Sequence, residues 1–375
     1  MADMVLAAVQ TAPRRIELRE FPRPAVGPDD GLLRIEACGI CGSDVETYHG
    51  LLGVGALPDA PHFVPGHEPL GIIEEIGERA ATRWGVEPGD RVAVEVVVSC
   101  RRCPACLTGR YLSCSNRRGA YGVRPVTQEP ALWGGFAEYM YLHPDSALHK
   151  VRKDLPAGLA VLFNPLGAGV RWATDLGGVR LGTSVLILGP GQRGLASVVA
   201  ARAAGAGTVI VTGLAKDAAK LALAREFGAD HTIVADEEST VDAVRELTGG
   251  AGVDVVLELT PVATRPVLDA LSAVRHGGRI VLAGLKGKQS VELNTDLVVN
   301  KALTVVGAFG VDYAAYDEAI RIIESGRYPL AKMHTRGYSL ADAGHAIDAL
   351  AGDVPGEEAV HVAIMPNSNL PNGSR

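Results

Sequence analysis

The amino-acid sequence predicts an α/β protein in two parts: a β-barrel or sandwich-like domain, then an open parallel sheet with helices on both faces. Three observations lead there. Before about residue 156 the apolar residues come in short runs, "GLLRIEACGI", "LGIIEEIG", "DRVAVEVVVSC" and "GGFAEYMYL", cut by Gly, Pro and Asp. That is the spacing of many short strands. Beyond it, near-continuous apolar runs alternate with helical stretches such as "DAAKLALAREFGAD", as in a sheet buried on both sides. Finally, a glycine triplet stands at the first strand-to-helix turn of this second part.

In chain order, the first feature with chemistry is "FVPGHEPLGIIEEIG", where His67 stands beside Glu68. Neighbouring side chains of a regular strand point to opposite faces. Pro65, Gly66 and Pro69 break that alternation, so both side chains could converge on one ion. By itself the stretch also reads as a turn holding two polar residues.

"SCRRCPACLTGRYLSC" comes next, with Cys100, Cys103, Cys106 and Cys114 spaced C-x2-C-x2-C-x7-C. Four thiolates this close can enclose one Zn2+ tetrahedrally, the closed arrangement of a structural site. An iron–sulfur cluster would also accept four cysteines, but the regular spacing and the Pro, Gly and Arg content favour zinc.

After the helix-like "LPAGLAVLFNPLGAGVRWATDLGG", the strands "SVLILG", "TVIVTG", "VDVVLELT", "RIVLAG" and "LTVVGAF" are expected to form the parallel sheet. "SVLILGPGQRG" puts Gly189, Gly191 and Gly194 in G-x-G-x-x-G between a strand and a helix. There the backbone N–H groups of Gln192 and Arg193 can cradle a pyrophosphate. A tight turn with no ligand is the alternative. Gly213 ends the next strand, where NAD-binding proteins carry an acidic residue, and Lys216 lies just beyond. With no carboxylate to repel a 2'-phosphate, NADP is expected in preference to NAD. Leu259, Thr260, Gly284, Leu285, Ala308 and Phe309 are expected to contact the cofactor as well. The chain then mixes helix ("AAYDEAIRIIES", "ADAGHAIDALAG") with short strands and ends in a polar tail, "PNSNLPNGSR".

Bulk properties agree with a globular protein. The 375 residues are 47% hydrophobic and 21% charged, enough for two or three domains. A net charge of -7 argues against nucleic acid or a membrane surface as partner. No run approaches a membrane span, and the start has only a short apolar run with an Asp. The expected location is cytoplasmic, and the six cysteines are expected as thiols or ligands.

Together, "ACGICGSD", "VPGHEPLG", "EPGDRVAVE", the cysteine lobe, "GGFAEY", the glycine loop and "GAGVDVVLELT" resemble the zinc-dependent medium-chain alcohol dehydrogenases. The polyol (sorbitol-type) and threonine dehydrogenase branch is the nearest in pattern. The resemblance implies a GroES-like β-barrel catalytic domain plus a Rossmann doubly wound parallel sheet. The expected bounds are 1–157 for the catalytic domain, with a zinc lobe near 95–118, then 158–300 for the Rossmann domain. Residues 301–375 would return to the catalytic domain and form the tail. It also implies a homodimer or homotetramer, with "KALTVVGAFG" as a candidate contact.

By this resemblance a catalytic zinc takes Cys41 and His67, with Glu68 as ligand or close neighbour, and a second zinc takes the four-cysteine lobe. Cys38 is expected to be a buried thiol. Ser43 matches the hydroxyl that hydrogen-bonds the substrate oxygen. Two positions depart from the family. Asn164 in "FNPLG" replaces a Glu; a neutral, poor ligand there makes Cys41, His67 and Glu68 the expected protein set, with Asn164 bonding water or substrate. Glu46 stands where many relatives carry a relay histidine. Tyr48 and His49 are nearby substitutes, more readily explained as rim residues. Asp44 is expected to orient neighbours. The loop "HGLLGVGALPDAPHF", with Leu51, Leu52, Val54, Leu57 and Phe63, suggests an apolar alcohol or ketone substrate. Two other functions compete: a zinc-independent reductase of quinones or activated alkenes, and a non-catalytic NADPH-binding protein.

Overall fold

A computed structural model describes residues 3–51 and 61–367. The chain opens with the antiparallel pair β1 (Met4–Ala12) and β2 (Arg15–Pro22). It continues through β3 (Gly31–Gly39), α1 (Gly42–Tyr48), β4 (Glu68–Ile76), α2 (Glu78–Trp84), β5 (Arg91–Val94) and β6 (Val97–Val98). The cysteine lobe holds α3 (Pro104–Leu107), and after it stand β7 (Gly119–Ala120), β8 (Tyr139–Leu142) and β9 (Leu148–Lys150). Then come α4 (Ala157–Ala160) and α5 (Phe163–Val170).

The alternating part comprises β10 (Ser184–Leu188), α6 (Gln192–Ala203), β11 (Thr208–Gly213), α7 (Ala218–Glu226), β12 (His231–Val234) and α8 (Thr240–Leu247). It continues with β13 (Val253–Glu258), α9 (Arg265–Ala273), β14 (Val274–Leu282), α10 (Thr295–Asn300), β15 (Thr304–Gly307) and α11 (Tyr313–Glu324). The last elements are β16 (His334–Tyr338), α12 (Ala343–Ala351) and β17 (His361–Ile364).

Two compact units result, Met1–Asn164 with His334–Arg375, and Pro165–Met333. In the first, a mostly antiparallel sheet runs β16-β17-β3-β4-β5-β9, with β8 also on β3. Its core packs Leu33, Ile35, Ile73, Val92, Phe136 and Met140 with Ala346 and Ile347 of α12. In the second, six parallel strands run β12-β11-β10-β13-β14-β15, the two-sided order of a dinucleotide-binding sheet. Leu186, Ile210, Val256 and Ile280 sit at its centre.

Two boundaries differ from the expectation, the first by a few residues, since the first unit runs to Asn164 rather than 157. The chain leaves the second unit at Met333, not near 301, because β15 extends the sheet in parallel beside β14 and α11 stays with it. The sheet also gains β12, a sixth strand beyond the five expected. It is a short edge strand with an exposed histidine at its start, so it lacks the apolar run of a central strand. Leu52, Val54 and Leu57, and most of the polar tail, lie outside the described residues. Among the described residues no helix is long and apolar enough to cross a membrane.

Candidate active site

The register of β3 and β4 builds the site. Gly39 stands opposite Glu68, so the chain leaving β3 meets the chain entering β4. Cys41, His67 and Glu68 thereby bring a thiol sulfur, an imidazole nitrogen and a carboxylate oxygen within 4.8 Å of one another. Gly66 makes the turn possible. Its φ is +90, and a Cβ there would lie 2.8 Å from Phe136 Cε1 and 2.9 Å from Cys38 Sγ. Any larger residue would be both strained and crowded.

Asp44, in the first turn of α1, ties two of these residues together. Its Oδ2 accepts the Cys41 N–H at 2.8 Å, and its Oδ1 lies 3.0 Å from His67 Nδ1. A proton on Nδ1 leaves the Nε2 lone pair for a metal. Burial opposes charge on His67, but Asp44 and Cys41 outweigh it and hold the metal-free imidazole well above 6.5. A cation at Nε2 would replace that proton. The donor set fits zinc: one sulfur, one nitrogen and one oxygen, with room for a fourth partner, is the open arrangement of a catalytic ion.

Ser43 Oγ lies 3.5 Å from His67 Nε2, and both line a cavity of about 180 Å³. Its remaining walls are largely apolar, from Phe63, Pro65, Val96, Val123 and Ile347. Tyr121 also lines the cavity, and its hydroxyl pairs with Ser146 Oγ at 2.6 Å and accepts the His143 N–H. Gln10, also at the wall, donates to the Thr47 carbonyl. Of the loop residues expected here, Phe63 is buried on the wall and Leu51 is exposed.

The other expected residues have these surroundings. Glu46 is half-buried, and burial, then the nearby Cys41, raises its carboxyl pKa. Asn164 is buried in the first turn of α5. The Tyr48 hydroxyl donates to the Arg14 carbonyl, and His49 Nε2 faces Asp348 and Asp353 at 3.6 Å. Neither residue lines the cavity. Cys38 is a fully buried thiol.

In the lobe, sulfur separations are 3.5 Å for Cys103–Cys106, 3.5 Å for Cys100–Cys114 and 3.7 Å for Cys103–Cys114. Cys100 and Cys106 are 4.0 Å apart. Zn–S bonds of about 2.3 Å in a tetrahedron place sulfurs about 3.8 Å apart, so the four fit one zinc. All four are free of disulfides. Beneath them Glu95 accepts the Tyr111 hydroxyl at 2.7 Å and lies 3.2 Å from His149 Nε2.

At the second unit's glycine turn, Gly189 has φ +105, and a Cβ on Gly194 would overlap the Gly189 carbonyl oxygen. Nothing lies within 4 Å of a Cβ built on Gly191, which caps α6. An open face over a helix start suits a pyrophosphate. The Arg193 guanidinium stacks on Trp172, and Gln192 is buried. Gly213 ends β11, where a Cβ would press on Pro190 and Leu221. Lys216 is exposed beyond it, while Asp217 and Asp236 accept the N–H groups of Leu214 and Ala215. Thr260 packs beside Gly189 and Gly284; Leu285 and Phe309 are exposed. Leu259 and Ala308 donate their N–H groups to Leu188 and Leu282.

The sequence reading missed Gln10, Val96, Tyr121, Val123 and Ile347, which come from distant segments and carry no local motif. It also missed Lys286, whose ammonium donates to the buried Glu258 at 2.9 Å beside Thr260.

The chain is similar to known proteins along nearly its whole length. Residues 27–153 match the alcohol dehydrogenase GroES-like domain, and residues 194–325 match the zinc-binding dehydrogenase domain. A probable alcohol dehydrogenase of Mycobacterium tuberculosis is 46% identical, over 97% of this chain and 99% of that protein. The erythritol/L-threitol dehydrogenase of Mycolicibacterium smegmatis is 33% identical, over 97% and 98%. A zinc-binding dehydrogenase from Sinorhizobium meliloti 1021, solved bound to NADP, superposes with a TM-score of 0.84 at 30% identity. That match covers 97% of this chain and all of the other.

Proposed function

Because the chain belongs to the zinc-dependent medium-chain alcohol dehydrogenase family, in its polyol and threonine dehydrogenase branch, we propose that it interconverts a small to medium secondary alcohol and its ketone, or a primary alcohol and its aldehyde. The observation that carries this reading is the convergence of Cys41, His67 and Glu68 beside Ser43 on an apolar cavity. Zinc bound there would act as Lewis acid on the substrate oxygen, and the nicotinamide would exchange the hydride. Ser43 holds a hydrogen bond to the substrate oxygen and passes its proton outward, with Glu46 as the next acceptor. Asp44 fixes the His67 ring. Asn164 hydrogen-bonds the substrate or a water beside it. The cavity walls exclude bulk water from the reacting carbon.

We propose two zinc ions per chain, the second in the cysteine lobe. NADP is preferred to NAD: Lys216 is exposed at the end of β11, and the nearest carboxylates are already engaged by backbone. A homodimer or homotetramer in the cytoplasm completes the reading, with β15 as the sheet edge available to a second copy. The cavity has few polar groups for a polyol, so an apolar alcohol is the substrate class.

A panel of alcohols and ketones, run with NAD and NADP in parallel and with zinc counted, tests this. Turnover lost on removing one of two zincs supports the dehydrogenase. One zinc per chain with alkene or quinone reduction would replace it by the zinc-independent reductase. No turnover at all would favour a non-catalytic nucleotide-binding protein.

A further inference from the structure

In the first unit one row of side chains crosses four neighbouring strands, β16, β17, β3 and β4. His334 pairs with His361 across β16 and β17. Ala363 stands opposite Gly39 across β17 and β3, and Gly39 stands opposite Glu68 across β3 and β4. His361 shares the face of Ala363, because alternate strand residues point the same way. Gly39 has no side chain, and its place is filled from both sides. A Cβ there would overlap Glu68 Oε2 and lie 3.1 Å from His361 Nε2. Glu68 and His361 are both fully buried. On the far side, His361 Nδ1 lies 3.1 Å from His334 Nδ1. The His334 ring is held in turn by α4, where a Cβ on Gly158 would lie 2.7 Å from its Nε2.

A contact between two ring nitrogens needs one donor and one acceptor. With His334 donating from Nδ1, His361 keeps a lone pair on Nδ1 and carries its proton on Nε2, the nitrogen on the Gly39 side, where Glu68 Oε2 also lies. We propose that His334 sets this tautomer, and that His361 donates its Nε2–H to Glu68 Oε2, leaving the other carboxylate oxygen for the metal. His361 and His334 are then positioning residues that act through Glu68. The inference rests on Cys41, His67 and Glu68 being the ligands of a catalytic zinc.

The test uses the full-length zinc-loaded protein. In the wild type, nitrogen NMR shifts of labelled histidine should show His361 protonated on Nε2; a bare Nε2 overturns the proposal whether or not any variant folds. His361→Leu should release the catalytic zinc to a chelator about 10–100-fold more readily, the usual cost of losing an outer partner of a ligand. The cysteine-lobe zinc should stay, and the visible band of a cobalt-substituted catalytic site should shift. His361→Gln places an N–H2 donor at similar reach and should recover most of the wild-type retention. Wild-type metal retention and an unshifted cobalt band in His361→Leu overturn it, as does a Gln variant no better than Leu. A wild type with one zinc per chain, held only in the cysteine lobe, overturns the ligand reading and this inference with it.

Discussion

Replacing Asp44 by Asn tests how the metal site is held. The carboxylate is buried and acceptor-only, taking the Cys41 N–H at 2.8 Å on one oxygen and facing His67 Nδ1 at 3.0 Å with the other. An amide of the same shape offers one oxygen and one N–H2 group. Whichever way it turns, one donor meets another donor. If the oxygen stays with His67, the Cys41 N–H is orphaned and the first turn of α1 loosens. If it turns to Cys41, His67 loses the partner that keeps its proton on Nδ1. An unsatisfied buried donor costs about 1–3 kcal/mol, or roughly 5- to 150-fold in a binding constant. The expected result is zinc at Cys41, His67 and Glu68 bound about 10- to 100-fold more weakly, with the lobe zinc unchanged. Chelator competition, with zinc counted per chain, measures it. A catalytic-site affinity within twofold of wild type would refute the reasoning.

Three further outcomes are expected from the geometry. Gly66→Ala forces a side chain at φ +90 against Phe136 and Cys38 and should destabilise the fold by about 2–4 kcal/mol; denaturant unfolding with an unchanged midpoint would reject this. Lys216→Ala should weaken NADP about tenfold, the value of one exposed charge-assisted bond, and leave NAD unchanged; fluorescence titration with both cofactors decides it. Burial and Cys41 raise the Glu46 carboxyl above its usual 4.5, so a relay through its ionised form gives activity that rises with pH through that raised value. Glu46→Gln should remove this acid limb from the kcat profile, and an identical limb in the variant would take Glu46 out of the relay.

The second unit is largely legible in the sequence because its strands are buried on both faces. "SVLIL", "TVIVTG" and "VDVVLE" show themselves as unbroken apolar runs. β12 escapes such a reading because an edge strand needs no such run. The end of the unit is harder to place, since "LTVVGAF" is compatible both with the sheet and with the segment returning to the first unit. The cysteine lobe is legible because its four ligands lie within fifteen residues and need little help from the rest of the fold.

By itself the sequence determined the features whose parts are near one another along the chain: the lobe, the glycine turn, and the kink at Pro65, Gly66 and Pro69 that frees His67 and Glu68 from strand alternation. Only the tertiary structure decided what those residues face. Asp44 holds both Cys41 and His67 because the β3–β4 register brings residues 26 apart to one point. The cavity walls come from segments scattered between Gln10 and Ile347, and His361 reaches Glu68's surroundings only because β17 docks on β3. Such contacts depend on which strands pair and in what register, and long-range pairing leaves no local spacing to read.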